Sequence, residues 1–184
     1  IDGDMVLHPA FIADHLASAR PGAYLQGNRL NASQGETGRL LAGGTARFAP
    51  WMPGSYKRRH AVRMPWLGAF KARYQQHGAV MSCNMSMWRR DLQMINGFDE
   101  SYEGWGREDN DLALRLGNAG VVRRPLRFAG LAVHLWHRTR VPDGLSAADE
   151  LPNDRFLQHA LVTRAVRCAR GLDTHLSPSA VEAT

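Results

Sequence analysis

The stretch GFDESYEGWGREDNDLALRL, Gly97 to Leu116, sets two glycines around Trp105 and three acids, Glu108, Asp109 and Asp111, behind them. The acids open what reads as a helix, with Leu112, Leu114 and Leu116 apolar and Gly120 as its stop. Acids in a first helical turn complement the helix dipole and cap free N–H groups, so a structural duty alone accounts for them. The same place would keep an aspartate ionised, which suits a general base that receives a proton from a hydroxyl. Gly104 and Gly106 permit backbone conformations closed to other residues. Trp105 between them offers a broad flat face of the kind that stacks on sugar rings.

N-terminal to this stretch, IDGDMVLHP reads as a strand end and an acidic turn. Asp2 and Asp4 stand two apart, so on an extended chain they point the same way. Such a pair can hold a hard divalent cation or hydrogen-bond a ribose, and it is also a common surface turn. A helix follows from Pro9 to Gly22, with Phe11, Ile12, His15, Leu16 and Ala19 on its apolar face. AYLQGNRLN reads as one short strand, AVMSCNMSMW as a buried strand, and RRDLQMIN as a short helix ending at Gly97.

C-terminal to it, VVRRP and LAVHLWH read as strands. His134 and His137, three apart where a strand runs into a turn, could both reach one metal, or one of them is a packed or solvated histidine. Imidazole suits Mn2+ better than Mg2+. No H-E-x-x-H is present, so a zinc-protease reading has no support. From Asn153 to Gly171 the pattern predicts an amphipathic helix with Phe156, Leu157, Ala160, Leu161, Ala165 and Cys168 on one side. Its arginines, Arg155, Arg164, Arg167 and Arg170, either form a solvated face or meet an anionic membrane surface.

The 184 residues are 44% hydrophobic, enough for a core and too apolar for wholesale disorder. Two cysteines imply no disulfide framework and fit a reducing cytosol. No run reaches the roughly 20 apolar residues of a membrane span. The net charge of +6 draws anions: nucleic acid, acidic lipid or sugar nucleotides. Residues 32–77 are rich in Gly, Arg, Trp and Pro and read as an irregular insert with helices near Gly35–Leu41 and Pro65–Gln75. Within it, Trp51, Tyr56, Lys57, Arg58, Arg59, His60, Arg63, Trp66, Lys71 and Arg73 mix charge with rings, as nucleic-acid sites, membrane-surface sites and solvated loops all do.

The order of these signals carries more than any one of them. D-x-D, an apolar strand, NGFDESYEGWGREDNDLALRL and then a histidine-bearing strand closely resemble the family-2 glycosyltransferases of the GT-A fold. They are most similar to the branch that shares the galactosyltransferase C-terminal domain of β-1,4-galactosyltransferases. The resemblance covers Ile1–Asn28 and Gly78–Phe156 and leaves the insert unmatched. It implies an α/β fold: the C-terminal portion of one Rossmann-like GT-A domain over residues 1–171, a mixed sheet with flanking helices, and a loose tail at 172–184. The chain opens on a strand end without an initiator methionine. The expectation is therefore a fragment whose nucleotide-binding strands lie before Ile1, inactive alone and prone to self-association through an exposed sheet edge.

The resemblance also implies roles. Asp4 matches the metal-binding aspartate, and Asp2 lies nearer the donor ribose. Asp109 matches the general base. Glu108 and Trp105 help form the acceptor site, and Gly106 makes room for the sugar. His137 matches the C-terminal metal ligand. His134 stands where β-1,4-galactosyltransferases use a methionine, so it either joins the metal or faces away, and Asn110 replaces a third consecutive acid. The implied reaction is inverting and uses Mn2+ or Mg2+. A UDP-sugar is the donor and a glycan or lipid-linked molecule the acceptor. By analogy the setting is bacterial surface polysaccharide such as lipopolysaccharide, made in the cytoplasm, with peripheral contact to the inner face of the membrane. The rival readings are a nucleic-acid- or polyanion-binding module built on the insert, which leaves GWGREDNDL unexplained, and a non-catalytic glycan-binding relic.

Overall fold

The structure, a computed structural model, describes residues 1–49, 55–56, 61–70, 80–104, 106–138 and 151–176. They fall into two compact units. The first comprises Ile1–Gln75, Met81–Ser86 and Arg123–Thr139, and the second Gln76–Val80, Met87–Val122 and Arg140–Thr184. None of the described helices is long and apolar enough to cross a membrane.

The first unit contains β1 (Met5–Leu7), α1 (Phe11–Ser18), β2 (Ala23–Gln26), β3 (Leu30–Ala32), α2 (Gln34–Leu41), β4 (Ser55–Tyr56), α3 (Pro65–Phe70), β5 (Met85–Ser86), all but the first residue of β6 (Val122–Pro125), and β7 (Ala132–His134). One sheet runs β1-β7-β3-β4. In it β7 is antiparallel to β1, with Met5 opposite His134, and parallel to β3, with Asn31 also opposite His134. This sheet is mixed, as expected. A second sheet, β5-β2-β6, was not expected.

The two sheets arise because AYLQGNRLN is not one strand. Gly27 donates its N–H to the Asn84 carbonyl at 2.8 Å, and a Cβ on Gly27 would collide with the Asn84 side chain. The Asn84 carboxamide in turn donates to the Asn28 carbonyl at 2.7 Å. The chain bends at this corner, sending β2 into one sheet and β3 into the other. AVMSCNMSMW departs from expectation for the same reason. Ser82–Asn84 wind into a 3-10 turn that aims the Asn84 side chain inward, and only Met85–Ser86 pair as strand. Leu30, Ala32, Ala61 and Val133 form the centre of the first core, with Val6, Leu40 and Phe48 packed on it. Ser33 caps α2 by accepting from the Glu36 N–H at 3.2 Å.

Helix α1 buries Phe11 and His15 of the face its hydrophobic pattern predicts, with Asp14 in place of Ile12 and Leu16. Ile12 and Leu16 are 62% and 71% exposed, whereas Phe11, Asp14 and His15 are buried. The polar pair is tolerated because every group has a partner. Asp14 accepts from Arg63 Nη2 at 2.5 Å and Nε at 2.9 Å, and from the Gly130 N–H at 2.9 Å. Asn84 Nδ2 donates to the Asn28 and Gly130 carbonyls, so its Oδ1 is the acceptor that faces His15 Nε2 at 3.0 Å. His15 therefore carries its proton on Nε2, and its Nδ1 accepts from the Ser86 hydroxyl at 2.7 Å.

The second unit holds α4 (Arg89–Met94), α5 (Glu108–Asn118) and α6 (Asp154–Thr163). Leu112 and Leu116 of α5 are fully buried at i,i+4 spacing, and Leu114 points off that face. The long helix expected to Gly171 ends at Thr163, where Arg164 turns into the left-handed region with φ 50°. Leu161, expected on the apolar side, is 46% exposed. Beyond the break the chain carries Cys168 into the core and makes a 3-10 turn at Leu172–Thr174. Asn96 holds this turn: it accepts from the Leu172 and Asp173 N–H groups and donates Nδ2 to Asp173 Oδ1 at 2.9 Å. Both cysteines are buried, and neither is in a disulfide.

Acid should unfold the first unit in two stages. Burial pushes His15 below its ordinary value of 6.5, outweighing its bond to Asn84. Stability from a neutral buried His15 is thus full above 6.5 and lost as pH falls through the lowered value. Burial acts to raise Asp14, but Arg63 and the Gly130 N–H outweigh it and hold the carboxyl below 3.8. Its contribution is present above 3.8 and lost as pH falls further. In His15→Gln, whose amide keeps one donor and one acceptor, the loss below pH 6.5 should flatten while the loss below pH 3.8 remains. Thermal unfolding followed across pH checks this; an unaltered profile would remove His15 as the cause.

Candidate functional site

The β1–β7 pairing builds the first candidate cluster. The Leu135 N–H donates to the Asp4 carbonyl at 2.9 Å, extending the ladder one step past Met5–His134. Asp4 is thereby set beside the end of β7. Its Oδ2 lies 3.2 Å from His134 Nε2 and 3.1 Å from His137 Nε2. The two Nε2 atoms are 3.4 Å apart, and the three ligand-capable atoms lie within 4.8 Å of one another. His134 thus turns into the cluster rather than away from it.

The protonation pattern shows what the cluster suits. His137 Nδ1 lies 2.7 Å from the Arg138 carbonyl, an acceptor, so Nδ1 carries a proton and Nε2 is the nitrogen that faces Asp4. Burial, then the charge of Arg29, push His134 below 6.5 against the pull of Asp4, favouring the neutral ring that binds metals. Asp4 Oδ1 is buried, and among the described residues no donor reaches it. Two imidazole nitrogens and a carboxylate with an unmatched buried oxygen fit a divalent cation, Mn2+ better than Mg2+. Asp2 does not join them: it is exposed, with Arg29 Nη1 at 3.8 Å.

The second candidate cluster belongs to the other unit. Glu108 and Asp109 are the first two residues of α5, both half-buried. The N-cap is Arg107, in the left-handed region at φ 78°, and its own side chain makes no cap hydrogen bond. For a residue with a Cβ that conformation costs about 1–2 kcal/mol. Gly104 and Gly106 adopt φ 77° and 100°, so the conformational reading of these glycines holds. Trp105 lies outside the described residues.

Asp111, the third acid, has a structural task. It is buried with Arg115, whose Nε donates to it at 2.7 Å and whose Nη1 donates to the Ile95 carbonyl at 2.5 Å. This pair ties α5 to the end of α4.

Sequence reasoning missed three residues. Asn153 Nδ2 donates to the Glu103 carbonyl at 3.1 Å and the Gly106 carbonyl at 2.9 Å, gripping both ends of the glycine loop. Asp154 accepts from the Leu151 N–H at 2.7 Å and forms an ion pair with Arg107 through Nε. Leu151 is buried and would lie 2.8 Å from a Cβ on Gly106. The only signal available was Asn-Asp before an apolar run, which is also the ordinary sign of a helix start.

The basic insert is partly accounted for. Arg63 is the partner of Asp14, and Trp66 is 72% exposed. Trp51, Lys57, Arg58, Arg59, His60, Lys71 and Arg73 lie outside the described residues. On the C-terminal segment, Arg155 lies over the Phe156 ring, and Arg167 donates to the Gln93 carbonyl and to Asp173.

Residues 67–138 match the family described as the N-terminal domain of galactosyltransferase. That segment contains Glu108, Asp109, His134 and His137. Chondroitin sulfate N-acetylgalactosaminyltransferase 1 of Homo sapiens is 40% identical over 75 residues, and chondroitin sulfate N-acetylgalactosaminyltransferase 2 of the same organism 37% over 75 residues. Each match covers 40% of this chain and 13% of the relative, so the chain spans a small part of the curated relatives' length. No solved structure matches. The chain contains a glycosyltransferase-like domain.

Replacing Arg115 by Ala should destabilise the protein by about 3–5 kcal/mol, because it strands a buried carboxylate. The double variant Asp111→Leu, Arg115→Met should cost far less, since it removes both charges and keeps the volume. Chemical denaturation of the two variants compares them directly.

Proposed function

We propose that this chain is the metal- and acceptor-binding part of an inverting glycosyltransferase that moves a sugar from a nucleotide-sugar donor to a hydroxyl of a glycan or lipid-linked acceptor. The observation that carries the reading is the convergence of Asp4, His134 and His137, made by residues far apart in the chain. The similarity of residues 67–138 to a galactosyltransferase family and the named activity of the two human relatives support it. Those names make UDP-N-acetylgalactosamine the first donor to test. The net charge of +6 is consistent with a phosphate-bearing donor and with work at an anionic membrane face on the cytoplasmic side. The proposed setting is the synthesis of a bacterial surface polysaccharide, an expectation from resemblance alone.

Asp4, His134 and His137 would hold the divalent cation, which when bound supplies positive charge against the charge growing on the departing diphosphate. With His137 Nδ1 held by the Arg138 carbonyl, Nε2 is the nitrogen that would reach the cation. Asp2 takes the donor ribose. Glu108 and Trp105 shape the acceptor site, and Gly106, against which Leu151 packs, sets the path of the loop and does not leave space for a sugar ring. The Asp109 carboxylate takes the proton of the acceptor hydroxyl as its oxygen bonds the anomeric carbon. The bond from that carbon to the diphosphate breaks on the opposite face, the diphosphate leaves with the electron pair, and the configuration inverts.

The test uses the full-length protein and a panel of UDP-sugars, with UDP release measured with and without Mn2+. Release from one donor should require Mn2+ and fall about 10²–10⁴-fold in Asp109→Asn. His134→Ala and His137→Ala should each raise the Mn2+ concentration needed for half-maximal rate, and weaken Mn2+ binding measured directly by calorimetry. Undiminished transfer by Asp109→Asn would sink the assignment of the base, and unchanged Mn2+ binding in both histidine variants that of the metal site.

A further inference from the structure

Arg107 presents a contradiction. Its φ of 78° is a conformation that glycine adopts freely, and glycines already stand at positions 104 and 106 of the same loop. A third glycine would serve the backbone better. An arginine there is explained by what its side chain reaches. Nε and Nη2 both approach Asp154, the first residue of α6, with Nη2 at 3.4 Å from Oδ2. Asp154 is itself fixed by the Leu151 N–H, and its neighbour Asn153 holds the Glu103 and Gly106 carbonyls. The loop that leads into Glu108 and Asp109 is therefore held at three points by the start of α6. Of these three, the Arg107 bridge is the one that acts on the residue bonded to Glu108.

We infer that the Arg107–Asp154 ion pair is a latch that sets the direction in which Glu108 and Asp109 leave the loop, making Arg107 and Asp154 positioning residues for the transfer reaction. The inference rests on the reading of Asp109 as the base. Strain accepted next to a reacting group, and held by a specific contact, is the usual signature of a pre-organised site. Arg107 and Asp154 act through the acids and do not touch the reacting atoms. Their loss should therefore slow turnover without weakening the grip on the donor.

The experiment compares full-length Arg107→Gly, Arg107→Lys, Asp154→Asn and the double variant Arg107→Gly, Asp154→Asn, with Asp109→Asn as reference. Glycine relieves the strained backbone, and asparagine keeps an acceptor for the Leu151 N–H, so both substitutions spare the fold. Arg107→Gly and Asp154→Asn should each lower kcat about 10- to 100-fold with donor KM little changed. The double variant should be no slower than the worse single, Arg107→Lys should recover part of the rate, and the Tm of Arg107→Gly should equal or exceed that of the parent. Wild-type kcat in Arg107→Gly, with Asp109→Asn inactive, would overturn the latch and leave the catalytic reading intact. A loss of rate that follows a fall in Tm would reduce the ion pair to a structural contact. Full activity in Asp109→Asn would remove the base, and the latch with it.

Discussion

Three separate parts of the chain meet at the carboxamide of Asn84. Its two N–H groups satisfy the carbonyls of Asn28 and Gly130, and its oxygen takes the proton of His15. A buried amide with every bond made is stable; one with a partner missing is costly. This side chain therefore does more than fill space. It fixes the corner that separates β2 from β3, the loop before β7, and the buried face of α1. The strand that delivers His134 starts two residues after Gly130, and its alignment on β1 brings His134 beside Asp4. The candidate metal site inherits its geometry from a hydrogen-bond hub that holds none of its ligands.

Part of that site was legible in the sequence, because two of its residues, His134 and His137, stand three apart. Asp2-Gly3-Asp4 and His134-x-x-His137 are local patterns, and their order along the chain is informative even when each is weak. The acidic helix start was legible for the same reason. What escaped was everything that depends on distant partners. His15 and Asn84 are 69 residues apart, and Asp14 and Arg63 are 49 apart. No periodicity signals that a helix will bury an aspartate in place of an isoleucine and a leucine. The same blindness hid the bend at Gly27, where the decisive neighbour is a side chain from the 3-10 turn, and the contacts of Asn153, which looks like any cap.

The charges divide along similar lines. Arg63, Arg107 and Arg115 each face a single carboxylate from an identifiable position, and Asp14, Asp154 and Asp111 are their partners. None of these ion pairs advertises itself in a net charge of +6. The basic surplus that suggests a polyanion site is in part a set of internal fastenings, and Arg63 passes from the one category to the other once its partner is seen. Asp111 makes the complementary point among the acids. Three carboxylates crowd the start of α5, yet the buried one, Asp111, is neutralised by Arg115 four residues on.

Cys168 has a consequence of a different kind. Its sulfur lies within 3.4–3.8 Å of the carbonyl oxygens of Ile95, Asn96, Phe98 and Arg170. Burial raises its pKa, and a ring of electron-rich oxygens offers a thiolate nothing to lean on. The thiol is silent toward electrophiles while the C-terminal segment stays seated on the loop around Asn96, and it becomes reactive when that segment lifts. Its rate of alkylation is a clock for the opening of this corner of the molecule, carried by the native chain without an added label.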